Sequence, residues 1–328
     1  MLQFQEVRMA DGRTALVTGG AGFIGSHMVK RLLELDYKVV VIDDLSTGKI
    51  KNLNSESVFH HTDITQPAVD EIIQREQPDL VFHMAAQTSV IQSTRDPIGD
   101  INTNVLGTLR ILEASRRVGV DKIIYSASGG TVYGDPATVP CPEHAPIAPA
   151  SPYGMSKLVA EQYLDFYYRQ YRLHYTSLRY GNVFGPRQDP HGEAGVVAIF
   201  TQAMLEGKQP QIFGDGTQQR DFISVFDVVD ANIAAIDRGD AKSMNIASGE
   251  ATSVNRIFKL LGGITGYKWD PLHGPQRAGE VYRIALDCSK ATQELDWSPK
   301  IGLEEGLRLT VDYFRESLNL TRGMTSTG

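Results

Sequence analysis

The stretch Thr14-Ala-Leu-Val-Thr-Gly-Gly-Ala-Gly-Phe-Ile-Gly25 sets the expected fold of this chain. Its first five residues are apolar or β-branched, which predicts a buried strand that ends at Thr18. Gly19, Gly22 and Gly25 follow at intervals of three and lead into a helical pattern. Glycines at these positions permit a tight turn and let a pyrophosphate approach the backbone at a helix N-terminus. The stretch therefore predicts a strand–loop–helix unit that binds a dinucleotide.

Apolar strands and longer helical patterns alternate along the first 180 residues. The apolar runs predict strands at residues 14–18, 38–42, 57–60, 80–84, 122–126 and 174–179. Apolar residues at helical spacing predict helices at residues 23–35, 67–76, 102–118 and 152–171. Because parallel strands need crossover connections, this alternation predicts an α/β fold with a doubly wound parallel sheet of the Rossmann type. Ligands of such sheets bind beyond the carboxyl ends of the strands.

The periodicity weakens beyond residue 180. The remaining pattern predicts helices at residues 196–206 and 227–237, a strand at 243–246 and a loop at 207–221. We expect residues 1–180, rejoined by about 223–250, to form the dinucleotide-binding domain. Residues 181–222 and 251–328 are expected to form a smaller mixed α/β lobe for the substrate, sharing strands with the first domain.

The composition is that of an ordinary globular protein, with 41% hydrophobic and 22% charged residues. A formal net charge of −7 is unsuited to neutralising phosphates, so nucleic acid is not an expected partner. Cys141 and Cys288 form no CxxC pair and the histidines form no HExxH motif, so we expect no disulfide framework and no metal site. Residues 1–13 lack the apolar core of a signal peptide, and no apolar run is long enough to span a bilayer. We therefore expect a cytoplasmic protein with no membrane partner.

Asp43 closes the second predicted strand, where a carboxylate can hydrogen-bond the ribose of adenosine. It would repel the extra phosphate of NADP, and no arginine follows directly to offset it, so NAD is the expected cofactor. The alternative is that Asp43 and Asp44 only form a turn; the preceding glycine loop favours the cofactor role. Asp63-Ile64 follows the third strand, where the adenine would lie, although this dipeptide is common.

Tyr153-Gly-Met-Ser-Lys157 places a tyrosine and a lysine four residues apart, on one face of a helix. A nearby ammonium group favours a phenolate, so we expect a lowered pKa for Tyr153 and a role as a general base. The alternative is an ordinary aromatic residue and a solvated lysine, since this spacing is common by chance. Two further features favour a catalytic role for Tyr153 and Lys157. They are the hydroxyl-rich segment Ser126–Gly134 after the fifth strand and the small residues in His83–Gln87 after the fourth.

Together these motifs resemble the extended short-chain dehydrogenase/reductase family, in particular its nucleotide-sugar epimerases and dehydratases. The resemblance runs from about Thr14 to about Phe314 and rests on TGGAGFIG, Asp43, HMAAQ, SASGGTVYG, YGMSK, RYGNVFGPRQDP, GDGTQQRDF and a late Arg before Gly-Glu. The last three motifs resemble those of UDP-glucose 4-epimerases more than those of other members. A 4,6-dehydratase would carry an Asp-Glu pair before VYG, where this chain has Gly-Gly-Thr.

The resemblance implies that the chain reversibly inverts C4 of a UDP-hexose, UDP-galactose to UDP-glucose, through a 4-keto intermediate with tightly bound NAD. It makes Tyr153 the catalytic base and Lys157 its partner. It makes Ser128 the hydroxyl that hydrogen-bonds the reacting oxygen, with Ser126 and, less favoured, Thr131 as the alternatives.

For the UDP diphosphate, the resemblance implies that Arg220 and Arg277 meet at its oxygens, which suits the guanidinium fork. Taken singly, each arginine could equally be a solvated surface residue. Ile284 stands seven residues after Arg277, at a position where a large aromatic residue excludes an N-acetyl sugar and a small one admits it. Isoleucine is intermediate in size, which leaves N-acetylated sugars open as substrates.

The full set of residues that the resemblance assigns is as follows. The NAD site of the Rossmann fold consists of Gly19, Gly22, Phe23, Ile24, Gly25, Asp43, Asp44, Ser46, Thr47, Gly48, Asp63, Ile64, Met84, Ala85, Ala86, Gln87, Asn104, Ser126, Tyr153, Lys157 and Gly181. The nucleotide-sugar site contributes Ser128, Tyr153, Asn182, Gly195, Val196, Gln211, Ile212, Phe213, Arg220, Arg277, Glu280 and Ile284.

Helices 102–118 and 152–171 carry apolar residues on more than one face. The resemblance implies that they pair with those of a second copy in a homodimer, although an exposed tyrosine-rich face on a monomer would give the same pattern.

Two other functions stay open. One is a UDP-N-acetylglucosamine 4-epimerase or another NAD-dependent UDP-sugar-modifying enzyme. The other is a non-catalytic NAD-binding protein, which the presence of both Tyr153 and Lys157 disfavours.

Overall fold

Strands and helices alternate through most of the chain. The computed structural model describes residues 12–191, 195–276 and 281–325. The strands are β1 (Thr14–Thr18), β2 (Lys38–Asp43), β3 (Val58–His61), β4 (Leu80–His83), β5 (Lys122–Ser128), β6 (His174–Tyr180), β7 (Asn182–Phe184), β8 (Gln211–Phe213), β9 (Gln219–Ser224), β10 (Lys242–Ile246), β11 (Ala251–Ser253) and β12 (Leu272–Gly274). The helices are α1 (Phe23–Glu34), α2 (Ala68–Glu76), α3 (Val90–Arg95), α4 (Pro97–Ile101), α5 (Thr108–Val118), α6 (Gly129–Val132), α7 (Pro152–Tyr171), α8 (Val196–Leu205), α9 (Val225–Ala234), α10 (Val254–Thr265), α11 (Ser289–Leu295) and α12 (Leu303–Thr325).

Seven of the described strands form one parallel sheet in the order β10-β6-β5-β4-β1-β2-β3. The chain builds outward from β1 to β3 and then in the opposite direction from β4, so the strand order reverses between β1 and β4. The predicted doubly wound Rossmann fold is confirmed, and ligands of this fold bind in the crevice at the reversal point. Thr18 and His83 are partners in the β1–β4 register, which brings the glycine loop beside the segment after β4.

The sheet separates two apolar layers, because successive side chains of a strand point to opposite faces. In β2, Val39 and Val41 pack with residues of α1 and α9, whereas Val40 and Ile42 pack with residues of α2, α5 and α7. All four valine and isoleucine side chains are at most 1% exposed. Burial on both faces explains why this strand is a continuous apolar run instead of an alternating one.

The smaller lobe uses short strands that pair over long sequence distances. β9 pairs with β7 in parallel and with β11 antiparallel, and β8 pairs with β12. α8, α10 and α12 cover these strands with a third apolar cluster that includes Phe200, Leu261 and Leu307. The prediction of a loop over residues 207–221 is wrong for β8 and for the start of β9. β9 begins with polar residues and has no local apolar pattern at its start. Pairing with strands that are distant in sequence stabilises it instead.

The helix predicted at residues 102–118 is regular only from Thr108. Asn102–Gly107 forms a π-helical segment between α4 and α5. The Thr108 hydroxyl donates a hydrogen bond of 2.7 Å to the carbonyl oxygen of Asn104, whose own side chain turns inward to polar partners. Apolar spacing cannot reveal such a change of helix type. π-helical segments occur frequently at functional sites.

Candidate active site

The glycine loop between β1 and α1 packs closely against neighbouring backbone because it lacks side chains. Gly19 adopts φ of 71°, and a Cβ atom there would lie 2.8 Å from the backbone nitrogen of Ala85. A Cβ on Gly25 would overlap the carbonyl oxygen of Gly19. Gly22 is the N-cap of α1, and no side chain caps the helix there. Phe23 and Ile24 follow in the first turn, whose N–H groups can therefore bind an anionic group such as a pyrophosphate.

Asp43 ties the end of β2 to the glycine loop. Its carboxylate accepts the N–H groups of Ala21, at 2.9 Å, and Leu45, at 2.8 Å, and burial raises its pKa. Asp44 instead accepts the backbone N–H and hydroxyl of Ser46 and so forms the turn. Both aspartates therefore accept backbone N–H groups at this turn, and the cofactor role of Asp43 stays a prediction. The same turn includes Thr47 and Gly48, and a Cβ on Gly48 would lie 2.6 Å from the Asp43 carboxylate.

The segment after β4 is fixed to β1 by a buried hydroxyl. Thr18 Oγ1 accepts the N–H groups of Met84 and Ala85, both at 3.1 Å. It also lies 2.7 Å from Nδ1 of His83, whose Nε2 is 2.9 Å from the Thr108 hydroxyl. Burial lowers the pKa of His83 to about 3, so this imidazole is neutral and acts as a structural bridge.

Two further predicted cofactor residues have local structural roles. Asp63 Oδ1 accepts the N–H of Thr65 at 2.8 Å and shapes the turn after β3. Ile64 is 4% exposed and packs against Gly107, where a Cβ atom would lie 2.7 Å from its Cδ1. The described contacts of Asp63 and Ile64 are therefore those of a turn and of core packing.

The structure brings Ser128 and Tyr153 together at the carboxyl edge of the sheet. Ser128 is the last residue of β5, and Tyr153 lies in the first turn of α7 with Lys157 one turn later. Ser151 caps this helix by accepting the N–H of Gly154 at 3.1 Å, and Pro152 occupies its first position. Ser128 is near enough to Tyr153 for hydrogen bonding between the two side chains to lower the pKa of the phenol.

The prediction that Lys157 lowers the pKa of Tyr153 is wrong for this structure. Burial raises the pKa of Tyr153 to about 12, and the hydrogen bond with Ser128 offsets only part of that rise. Lys157 instead donates from Nζ to the carbonyl oxygen of Ser126 at 2.9 Å and lies 4.9 Å from the centre of the Tyr125 ring. Burial also lowers the pKa of Lys157 to about 8.

The three candidate hydroxyls have different partners. Ser126 Oγ lies 3.2 Å from the Tyr180 hydroxyl, and the Thr131 hydroxyl is buried without a hydrogen-bond partner among the described residues. Of the three, Ser128 is the one whose side chain lies near enough to Tyr153 to lower the pKa of its phenol. This arrangement favours Ser128 over its two alternatives.

Sequence reasoning missed a buried carboxylate beside this group. Asp100 of α4 is 1% exposed, and its Oδ1 accepts from Nε2 of Gln87 at 2.8 Å and Nδ2 of Asn104 at 3.1 Å. The Asn104 side chain and the Gln87 backbone also exchange two hydrogen bonds. These bonds fix the segment after β4 beyond Ala86. The available signal was an acidic residue four positions before Asn104, a spacing that places the two side chains on one face of a helix.

Three of the predicted substrate residues, Asn182, Arg220 and Ile284, lie in or beside the paired strands β7 and β9. Asn182 opens β7, is exposed, and has its Oδ1 3.8 Å from where a Cβ on Gly130 would lie. Arg220 lies in β9 and donates to the carbonyl oxygen of Gln219 at 2.9 Å. The N–H of Ile284 donates to that same oxygen at 3.3 Å, so Arg220 and Ile284 lie on neighbouring backbone. Ile284 is 1% exposed.

The remaining predicted residues lie around the smaller sheets. In β8, Gln211 is exposed, Ile212 is buried and Phe213 is intermediate. A cleft of about 200 Å³ follows that strand and is lined by Gly214, Asp215, Gln218, Gln276 and Tyr282. Gly195 and Val196 open α8, and Gly181 lies where a Cβ would be 2.9 Å from the carbonyl oxygen of Asp221. Arg277 and Glu280 lie outside the described residues. A larger cleft between α10 and α12 contains none of the predicted residues.

The chain is similar to a known family and to named proteins over most of its length. The family model described as GDP-mannose 4,6 dehydratase matches residues 16–310. A UDP-glucose 4-epimerase of Mycolicibacterium smegmatis is 43% identical over 306 residues, covering 92% of this chain and 98% of that protein. A Methanocaldococcus jannaschii protein, provisionally given the same enzyme name, is 46% identical over 302 residues, with 92% and 98% coverage.

Solved structures agree with these relatives. A UDP-glucose 4-epimerase of Thermotoga maritima, determined with UDP-glucose, is 50% identical with a TM-score of 0.92 and covers 93% of this chain and 99% of its own. The Thermus thermophilus UDP-glucose 4-epimerase in complex with NAD is 40% identical with a TM-score of 0.87, and the coverage is 92% and 99%. A UDP-N-acetylglucosamine 4-epimerase of Methanobrevibacter ruminantium, determined with UDP-N-acetylmuramic acid, is 35% identical with a TM-score of 0.88, and the coverage is 93% and 99%.

Proposed function

Because this chain belongs to the GDP-mannose 4,6-dehydratase-like family of extended short-chain dehydrogenases/reductases, we propose that it inverts C4 of a UDP-hexose. The enzyme is an NAD-dependent UDP-glucose 4-epimerase that interconverts UDP-galactose and UDP-glucose. The observation that carries the proposal is the placement of Ser128 near Tyr153 at the carboxyl edge of the sheet, with Lys157 one helical turn away.

The cofactor is NAD, and the described residues fit it. The uncapped first turn of α1 suits a pyrophosphate, and the carboxylate of Asp43 beside it suits a ribose without a 2′-phosphate. When bound, NAD supplies the hydride acceptor for C4 and the hydride that returns to the opposite face of the sugar. We assign NAD to residues 1–180 with about 223–250, and the nucleotide sugar to residues 181–222 and 251–328.

The proton transfer is assigned to side chains of this chain. Tyr153 removes the proton of the C4 hydroxyl and later returns it, while Ser128 hydrogen-bonds the same sugar oxygen. Because the pKa of Tyr153 is about 12, the ionised phenol needs positive charge nearby, and Lys157 is the cation one helical turn away. Arg220 and Arg277 hold the diphosphate while the sugar turns between the two hydride transfers.

Incubation of the purified protein with UDP-galactose, without added reductant, tests this function. Proton NMR should show UDP-glucose accumulating to a constant ratio, and the Tyr153→Phe protein should show none in the same time. An unchanged sugar in the presence of bound NAD would contradict the proposed substrate and favour the non-catalytic NAD-binding alternative.

The second candidate substrate is an N-acetylated UDP-hexose. Ile284 is smaller than the aromatic residue that would exclude the acetamido group, and the 35% identical UDP-N-acetylglucosamine 4-epimerase shares the fold over 93% of this chain. A parallel incubation with UDP-N-acetylgalactosamine measures this directly. Comparable kcat/KM for both sugars would make the enzyme bifunctional, whereas turnover of UDP-galactose alone would leave the acetyl group excluded.

We also propose a homodimer in the cytoplasm that serves galactose metabolism. Exposed apolar side chains on α4, the π-helical segment and α7 support the dimer, and both cysteines are free thiols, which suits a reducing compartment. None of the helices within the described ranges has the length and apolar character needed to cross a bilayer.

A further inference from the structure

Asp100 is a buried acidic residue that none of the roles described above uses. Its side chain lies on the inner face of α4, while Ile98 and Ile101 of the same short helix are exposed. One carboxylate oxygen, Oδ1, accepts two hydrogen bonds, and the other, Oδ2, is buried without a partner among the described residues. Burying a carboxylate carries an unfavourable free energy unless nearby groups compensate its charge. The groups around Asp100 are therefore expected to compensate it.

A chain of hydrogen bonds leads from Asp100 to the catalytic helix. Asn104 donates from Nδ2 to Asp100 and also lies 3.1 Å from the hydroxyl of Ser156. Ser156 in turn donates to the carbonyl oxygen of Tyr153 at 3.0 Å. The first turn of α7 is therefore fixed, through two side chains, to a carboxylate on a neighbouring helix.

A second branch leads from Asp100 to the segment after β4. Gln87 donates from Nε2 to Asp100 at 2.8 Å and from its backbone N–H to Oδ1 of Asn104 at 2.9 Å. The π-helical segment places Asn104 where it can serve both branches. Asp100 thus joins the two segments that border the crevice between β1, β4 and β5.

Resting on the proposed epimerase function, we propose that Asp100 is a positioning residue for the catalytic pair. It holds the backbone beside Tyr153 through Asn104 and Ser156, and its negative charge balances the ammonium group of Lys157. It does not contact the substrate, and it acts through the residues that do.

Of the two carboxylates that act on the charge of Lys157, Asp100 is the one without a salt bridge among the described residues. Glu161, one turn beyond Lys157, is paired with Arg179 at 2.9 Å, and Arg95 on α3 is exposed. The titratable groups facing Asp100 and Lys157 from β4, β5 and α7 are His83, Tyr125, Tyr153 and Glu161. His83 is neutral because burial lowers its pKa to about 3. The charge of Asp100 raises the pKa of Tyr153 and also that of Lys157.

Removing that charge should shift both pKa values in the same direction. Without Asp100, the phenol of Tyr153 ionises at lower pH, and Lys157 also loses its proton at lower pH. The pKa of Lys157, about 8, and the pKa of Tyr153, about 12, together bound the pH range of activity, so the whole profile should move toward lower pH. A role limited to folding would reduce activity without moving the profile.

The test is the pH dependence of kcat for UDP-galactose epimerisation in Asp100→Asn, compared with Asp96→Asn. Asp96 is exposed in the same helical region, and asparagine preserves its role as the N-cap of α4. We expect the Asp100→Asn optimum to fall by about one pH unit and the Asp96→Asn profile to match that of the wild type. Superimposable profiles for all three proteins would overturn the proposal.

Two further measurements separate this proposal from the proposed function. Ultraviolet titration of tyrosinate, taken as the difference from matching Tyr153→Phe proteins, reports the ionisation of Tyr153 without any sugar. A lower midpoint in Asp100→Asn supports the proposal even if the wild type does not epimerise UDP-galactose, and an unchanged midpoint opposes it.

If Asp100→Asn does not fold, Asp100→Glu keeps the charge but displaces it, and should retain the wild-type optimum with a kcat at least tenfold lower. An unaltered kcat would contradict the positioning role.

Discussion

Lys157 donates a hydrogen bond from Nζ to the main-chain oxygen of Ser126 at 2.9 Å, which ties the catalytic helix α7 to strand β5. The lysine is 3% exposed, and burial lowers its pKa from the ordinary 10.5 to about 8. A lysine with a depressed pKa destabilises the folded state at every pH below that value, because the unfolded chain binds the proton more tightly. Lys157, which makes this contact, therefore lowers the free energy of unfolding.

We predict that Lys157→Met abolishes turnover and yet raises stability at neutral pH. The lowered pKa corresponds to about 3 kcal/mol of lost stability, and the hydrogen bond to Ser126 returns about 1 kcal/mol, so the variant should gain about 2 kcal/mol in free energy of unfolding. The gain should shrink as the pH rises from 8 toward 10.5, where the unfolded chain also loses the proton. Urea unfolding at pH 7 and pH 9.5 measures both effects, and a destabilised variant at pH 7 would refute the argument.

Tyr153→Phe should lower kcat by about 10³-fold, because the general base is lost while the ring remains. UDP affinity, measured by calorimetry, should stay within about twofold, since the phenol contributes to proton transfer and not to diphosphate binding. Tyr163→Phe is the matched control, because Tyr163 lies on the same helix with its side chain exposed. Equal turnover in the two variants would remove Tyr153 from the mechanism.

The three hydroxyls after β5 should separate under substitution. Ser128→Ala should lower kcat by about 10–100-fold, because Ser128 is the hydroxyl that lowers the pKa of Tyr153. Ser126→Ala should change kcat by less than about threefold, since its hydroxyl faces Tyr180. Thr131→Val should leave kcat unchanged and not destabilise the protein, because its buried hydroxyl has no partner in the described residues. A larger loss of kcat in Ser126→Ala than in Ser128→Ala would reverse the assignment.

Local patterns predicted the parts of this fold whose signal lies in consecutive residues. β1 and α7 have the predicted bounds, because an apolar run next to a glycine and a Ser-Pro helix start are local features. The Tyr153–Lys157 pair was found for the same reason, since spacing of four residues on a helix requires no knowledge of the rest of the chain. The order of strands around β1 then follows from the general rules for βαβ units.

The features that sequence reasoning missed depend on distant partners. Gln219–Ser224 is a strand because β7 and β11 pair with it, and its polar start gives no local signal. Asp100 resembles any acidic residue of an exposed helix until the fold buries it against Gln87 and Asn104. The pKa of Tyr153 was predicted in the wrong direction because burial, which spacing cannot reveal, outweighs the charges around it.

Asp43 should control how firmly NAD is retained. Its carboxylate accepts N–H groups on both sides, and the amide of asparagine would turn a donor toward Ala21 or Leu45. Asp43→Asn should therefore weaken NAD affinity by at least about tenfold, whereas Asp44→Asn, which affects only the turn with Ser46, should change it little. Chromatography of nucleotide released from the purified proteins measures the retained fraction, and equal NAD content in both variants would contradict the assignment of Asp43.

The dimer proposal makes the last prediction. Leu106 is 53% exposed and Phe166 42%, on the π-helical segment and α7, two elements that pack against each other. Placing a charge on this apolar surface would make its burial against a second copy unfavourable, so Leu106→Glu with Phe166→Glu should convert a dimer into a monomer. Trp269→Glu, which changes an exposed aromatic residue elsewhere, should leave the mass unchanged. Sedimentation velocity distinguishes the outcomes. A wild-type protein that sediments as a monomer would contradict the dimer, and these apolar residues would then require a different partner.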